Sequence, residues 1–285
     1  MCEQNCEEPP EVGGSCASGK TRVCLRMSYH GGAFRGFAEN RDVRTVAGEL
    51  RPKLEKIYRQ PIVLTCAGRT DAGVHARDQA VTFDVVDSLV EPARLRKSLN
   101  SFLAPNVVVR SVEIVDPRFD ARYAALWRRY RYSVLNTELP DPFMADSAWW
   151  VHEKMDLDAM NQAVSKLIGL HDFSTFCRKA TTPNATMMRR LLLAEWTERS
   201  TGEGRPPVLQ FDIAASAFCH QMVRSIVGFS IDIGRGHFRV DQVDEILEGR
   251  DRSLSGNIAP PQGLCLWEVG YPGDPEPPWL RSFTQ

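Results

Sequence analysis

Apolar and polar residues alternate from Arg22 to Tyr29, with Val23, Leu25, Met27 and Tyr29 on one face. That two-residue period predicts a half-buried strand. After it the period lengthens. Val46, Leu50, Leu54 and Ile57 follow at spacings of four, four and three behind Thr45, a residue suited to capping a helix. Pro52 falls inside that helix and is expected to kink or shorten it. Pro61–Ala67 reads as a short apolar strand, Gln79–Val85 as an alternating one, Pro92–Ser101 as a helix and Val107–Val115 as a strand. The first half therefore predicts β-α-β-β-α-β.

The rhythm partly returns. Trp127–Asn136 predicts a strand, and Asp156 caps a helix over Leu157–Leu167. Met188–Glu198 and Val208–Ala215 form a hairpin around a loop at 200–207 that contains Gly and Pro. Phe218–Ile233 predicts a long apolar helix, Val240–Leu247 a short acidic one and Leu264–Val269 a closing strand. The pattern predicts an α+β fold of two similar halves with antiparallel sheets, at 21–116 and 117–271, although no repeat aligns at the level of residues. Residues 1–20, rich in Glu, Pro, Gly and Ser, read as a disordered tail, and 272–285 as an irregular one.

The 285 residues suffice for about two domains, and 43% apolar and 25% charged residues are ordinary for a folded chain. A net charge of -1 excludes a globally basic nucleic-acid binder but not a local basic groove. The charge is unevenly spread. Residues 22–59 hold nine bases against four acids, 118–131 five Arg against one Asp, and 177–190 four bases and no acid. The acidic excess lies toward the ends, with eight acids against two Arg over 241–276. Such runs are as readily solvated helix faces as a binding groove. The eight cysteines include no Cys-x-x-Cys pair and are too sparse for a disulfide scaffold, so reduced thiols in the cytoplasm are expected. There is no apolar run of spanning length and no export signal, so no membrane association is expected.

The segment Gly68-Arg69-Thr70-Asp71-Ala72-Gly73-Val74-His75-Ala76 lies between two strands. Its glycines permit a tight backbone path. Taken alone it reads as a plain turn in which Asp71 bonds its own backbone. A loop joining core strands, however, presents one carboxylate at a fixed place, and neighbouring guanidinium groups keep that carboxylate ionised.

Together with Gln79–Val85, this stretch resembles the tRNA pseudouridine synthases of the TruA type. The resemblance spans about Val23 to Val269. It is carried further by Tyr29–Phe37 (YHGGAFRGF), Phe119–Arg122 (FDAR), Arg128–Tyr132 (RRYRY), His171–Phe176 (HDFSTF), Ala217–Gly228 (AFCHQMVRSIVG) and Gly263–Leu266 (GLCL). It implies two halves joined into one extended sheet, helices packed on one face and a cleft across the other. It implies an isomerase that turns uridine into pseudouridine in the anticodon stem-loop of tRNA, at positions 38, 39 and 40. Such enzymes use no metal, nucleotide or other cofactor and work as homodimers in the cytoplasm.

The resemblance also assigns roles. Asp71 matches the catalytic aspartate, and attack on ribose C1′, attack on uracil C6 and removal of the ribose 2′ proton are all open to it. Tyr130 matches the tyrosine that stacks on the uracil. Arg224 matches the arginine paired with the carboxylate, and its place on an apolar helix by itself calls for a partner. Leu264 matches an apolar residue against the base, and Arg69 is expected to hold the target nucleotide out of its stack. His75 reads either as a ligand of Asp71 or RNA or as a structural histidine. Arg35, Arg128 and Arg178, with Arg41, Arg44, Arg122, Arg129 and Lys179, are candidate phosphate contacts.

Phe37-Ala38-Glu39-Asn40 departs from the Trp-Gln run usual in the family, and an acidic Glu39 beside RNA is unexpected. Two rival readings remain. One is an inactive tRNA-binding or tRNA-folding module on the same scaffold, and the other is a metal-dependent hydrolase using Asp71, His75 and Asp84.

Overall fold

The computed structural model describes residues 19–178, 186–200, 202 and 206–281. Most of the expected N-terminal tail, Lys179 and the polar stretch at 181–185 lie outside the described residues. The strands are β1 (Lys20–Tyr29), β2 (Thr65–Cys66), β3 (His75–Val86), β4 (Val107–Val115), β5 (Trp127–Asn136), β6 (Trp149–Val151), β7 (Gly169–Asp172), β8 (Met188–Arg199), β9 (Val208–Ala215) and β10 (Leu264–Gly270). The helices are α1 (Val46–Tyr58), α2 (Pro92–Leu103), α3 (Leu157–Ser165), α4 (Met222–Gly234), α5 (Val243–Glu248) and the single turn α6 (Pro278–Arg281).

All ten strands join one sheet in the order β4-β1-β3-β10-β5-β9-β8-β7, with β2 on β3 and β6 on β5. The α+β class and the β-α-β-β-α-β order of the first half stand. Lys20, placed by the sequence in the tail, already belongs to β1. The expected boundary near 116 falls between β4 and β5, but the seam between the halves is made by β10, the last strand. It pairs antiparallel with β5 and, through Cys265 and Leu266, parallel with His75 and Ala76 of β3.

Pleating gives the sheet two unlike faces. One presents Val23, Leu25, Phe83, Val85, Tyr132 and Phe211, all buried. Helices cover it. Tyr58 at the end of α1 meets Phe83 with ring centroids 6.3 Å apart. Trp196 of β8 stacks on Phe211 at 4.9 Å and donates from Nε1 to Ser230 of α4 at 3.2 Å. The other face is a ladder of ion pairs: Arg22 with Asp84 at 2.7 Å, Arg26 with Asp78 at 2.8 Å and Arg131 with Asp212 at 3.1 Å.

Several local expectations shift for physical reasons. Thr45 caps α1, accepting from Gly48 N at 3.2 Å. The helix then runs past Pro52 to Tyr58, with Pro52 itself exposed. A proline at that depth costs about 3 kcal/mol, which full burial of Leu50 and Leu54, at about 1.5–3 kcal/mol each, offsets. Ile57, assigned to the apolar face, is instead exposed, and Val46, Ala47, Leu50 and Leu54 form that face. The strand expected over Pro61–Ala67 shrinks to two residues. The edge of β3 is shared, β10 taking His75 and Ala76 and β2 taking Val81 and Thr82, and Val63 is left 81% exposed. The long apolar helix starts at Met222 rather than Phe218 because Gln221 adopts a left-handed φ of 64° that helical residues do not take. The C-terminal stretch docks Trp279 of α6 edge-on against Trp127 at 4.9 Å.

Candidate active site

The loop 67–74 is built so that little of it moves independently. Its backbone is bonded to flanking segments: Ala67 N to Ala80 O at 2.9 Å, Phe37 N to Thr70 O at 3.1 Å and Gly73 N to Phe34 O at 3.3 Å. Buried side chains complete the clamp. Gln79 Nε2 donates to Gly68 O at 2.6 Å, and the Tyr29 and Thr70 hydroxyls meet at 2.7 Å. Gly31 lies so close that a Cβ there would stand 2.1 Å from Val74 O, and Gly73 turns the chain with a φ of 81°. Both positions require glycine.

This loop delivers Asp71 against α4. Arg224 Nη1 approaches Asp71 Oδ2 at 3.4 Å, and its Nε donates to Ala259 O at 2.7 Å. Ala259 N in turn donates to Arg224 O at 3.0 Å, so the segment at 257–259 holds the arginine from both its ends. The Arg224 side chain is only 15% exposed, and its partner is the carboxylate that its apolar helix required. His220, which the sequence reading left without a role, stands 3.3 Å from Asp71 Oδ1 through Nε2.

Tyr130 comes from the buried face of β5, beside Leu266 of β10, with its ring edge-on to Phe218 at 5.2 Å. Burial and the nearby Asp71 charge push its phenol well above the ordinary range, so it is protonated at neutral pH. Leu264 is buried at the start of β10 opposite Tyr132, two residues before Leu266, which lies opposite Tyr130. The resemblance implies a cleft across the face away from the helices. These residues gather instead on the helix-bearing face, since Tyr130, Tyr132 and Phe211 share the side that α4 covers.

The expected RNA contacts divide. Arg35, Arg69 and Arg178 are exposed and have no ion-pair partner among the described residues. Arg178 adjoins the site, its N–H donating to His220 O at 3.0 Å. Arg128 does not belong with them. It is buried and donates to Ala67 O at 2.9 Å and Ser216 O at 2.8 Å, with further bonds to Ala125 O and Arg122 O. It ties the Asp71 loop to the segment leading into α4, and burial lowers its pKa below the ordinary arginine value. Arg129 faces the opposite side of the sheet, 3.3 Å from Glu268. Arg44 is drawn to Glu49 at 2.9 Å. Glu39 ceases to be anomalous, because Arg51 holds it at 2.6 Å and lowers its pKa.

His75 does not reach Asp71. Its Nδ1 accepts from Gly31 N at 3.1 Å and its Nε2 meets Gln262 O at 3.0 Å, which fixes a neutral ring with the proton on Nε2. Asp84 sits on the far face between Arg22 and Lys20. The three residues of the metal reading therefore do not assemble, and no group of three or more His, Cys, Asp and Glu among the described residues is placed to hold a metal ion.

A carboxylate on a clamped loop beside a protonated phenol, with exposed arginines in the same segments, suits an enzyme that acts on nucleic acid. A family model described as tRNA pseudouridine synthase matches residues 27–124 and 163–272. The chain is 41% identical to tRNA pseudouridine synthase A of Cutibacterium acnes, over 89% of this chain and 90% of the relative. It is 38% identical to that of Leifsonia xyli (90% and 93%) and 34% identical to that of Gluconobacter oxydans (96% and 98%). The chain belongs to the tRNA pseudouridine synthase family, isomerases that convert uridine to pseudouridine in tRNA. No helix among the described residues is long and apolar enough to cross a membrane.

Proposed function

We propose that this chain isomerises uridine in the anticodon stem-loop of tRNA, at positions 38, 39 and 40, with Asp71 as the catalytic carboxylate, and that it does so as a cytoplasmic homodimer. The observation that carries the site assignment is the pairing of the partly buried Arg224 with Asp71, which stands on a loop clamped by backbone bonds. The adjacent guanidinium favours the ionised carboxylate, the form able to act on the nucleotide. The N1–C1′ bond breaks, the uracil turns, and C5 joins C1′. C5 loses its proton to water and N1 gains one, so nothing is oxidised and atoms balance. Tyr130 lies under the base as it turns, and as a protonated phenol it is equipped to exchange the C5 proton. Leu264 supplies apolar surface for the uracil. Arg69 occupies the space left by the extruded nucleotide, an extrusion that costs a few kcal/mol. Arg35 and Arg178 take phosphates.

The test is tritium release from tRNA carrying C5-labelled uridine. Asp71→Asn abolishes release while tRNA still binds. Activity above about a tenth of wild type, against the losses typical of removing a catalytic group, overturns the assignment. A wild-type chain that binds tRNA but releases no tritium is the inactive module instead.

A further inference from the structure

The carboxylate of Asp71 has two oxygens in different surroundings. Oδ2 faces Arg224, whose side chain is partly buried and fixed by Ala259. Oδ1 faces His220, whose Nε2 stands 3.3 Å from it on a side chain 51% exposed. A carboxylate held at one oxygen is poorly fixed, because rotation about the last side-chain bond is broad and shallow. A second partner on the opposite oxygen sets the plane.

His220 is itself mounted for that purpose. Its carbonyl accepts from Arg178 N at 3.0 Å, and the left-handed Gln221 after it turns the chain into α4. The ring is thereby directed back at the Asp71 loop rather than along the helix. Arg224 lies four residues further on, in the first turn of α4, so the approach to the helix and its first turn face the two oxygens.

We propose that His220 is a positioning residue for Asp71, its Nε2 fixing Oδ1 while Arg224 fixes Oδ2. This rests on Asp71 being the catalytic carboxylate. The consequence is geometric: the reacting oxygen is presented in one orientation when the nucleotide arrives, and small misplacements of a reacting group reduce turnover steeply. The imidazole does not exchange protons with the substrate in this role, so any side chain carrying a donor at the same reach will serve.

Three variants test it under single-turnover and steady-state conditions with tRNA. His220→Phe keeps the ring and removes the nitrogen, His220→Gln keeps a donor, and Asp71→Asn reports on the underlying assignment. The expected result is a kcat about tenfold or more lower for His220→Phe, with KM for tRNA within about twofold, and recovery of most of that loss in His220→Gln. An unchanged kcat in His220→Phe overturns the inference. A rise in KM alone makes His220 an RNA contact and also overturns it, as does equal loss in both variants, which would require the imidazole itself. If Asp71→Asn is inactive while His220→Phe is unaffected, this inference alone falls; if Asp71→Asn turns over normally, the assignment beneath it falls. Because His220 is exposed, thermal melting of the variants is expected to match wild type.

Discussion

Arg128, Arg129 and Arg131 are near neighbours in the chain and belong to two environments, Arg128 on one side of the sheet and Arg129 and Arg131 together around Asp212 on the other. Arg128 is buried under the Asp71 loop, Arg131 pairs with Asp212 on the far face, and Arg129 faces Glu268. As a charge count they look like one basic block. The alternation of a strand separates them, and what each then meets is set by residues far off in sequence, as with Ala67 and Arg128, 61 positions apart. Arg224 was legible because its own helix is apolar and demanded a partner. His220 was not, since nothing in its surroundings along the chain says that it faces a carboxylate. His75 resolves as a structural group. Burial pushes its imidazole below the ordinary value near 6.5, with the His30 ring 4.5 Å away adding to the shift. The unfolded chain then binds a proton that the native one does not. Stability from this residue is complete above about pH 6.5 and is lost as pH falls from there through the lowered native value. Denaturant titrations across that range are expected to show a steeper loss for wild type than for His75→Gln, and equal slopes would contradict the neutral, buried ring.

Elements were legible where a run of strand or helix formers is bounded by clear caps and turns. β4, β5 and β9 begin and end where the sequence places them, and the caps of α1 and α3 are the Thr45 and Asp156 that the sequence offers. Elements whose extent depends on competition for a partner were not, as the shortened β2 shows. α4 has a further constraint that periodicity cannot reveal. A Cβ on Gly228 would stand 1.8 Å from Asn257 O. Helix and segment approach so closely there because the same segment presents the Ala259 carbonyl to Arg224. Gly228→Ala is expected to destabilise the protein by about 1–3 kcal/mol, and to lower turnover by shifting Arg224 away from Asp71. Chemical denaturation and the tritium assay read the two effects, and wild-type values in both would show that the contact is not needed.

At the scale of the molecule, a total charge of -1 conceals where the free cations are. Many of the basic side chains are spent on the far face of the sheet or inside it, and the exposed ones at the site are Arg35, Arg69 and Arg178. Affinity for tRNA is expected to fall steeply with salt, since each neutralised phosphate releases counterions. Arg35→Ala and Arg69→Ala each reduce the slope of log K against log salt by about one contact, whereas Arg129→Ala leaves it unchanged. Binding titrations at several salt concentrations measure this, and a flat response in the wild-type chain would contradict a basic site.

The seam made by β10 also sets a schedule. During synthesis β1 to β4 and β5 to β9 leave the ribosome before it, each able to pair within its own half. The edges of β3 and β5 that will meet β10 wait open until residues 264–270 emerge. Only then are Leu264 and Leu266 set beside Tyr132 and Tyr130, and only then does the Gln262 carbonyl reach His75. A chain interrupted before that strand therefore carries Asp71, Tyr130 and Arg224 but lacks Leu264 and the alignment that makes them a site, so competence arrives with the final strand rather than by degrees.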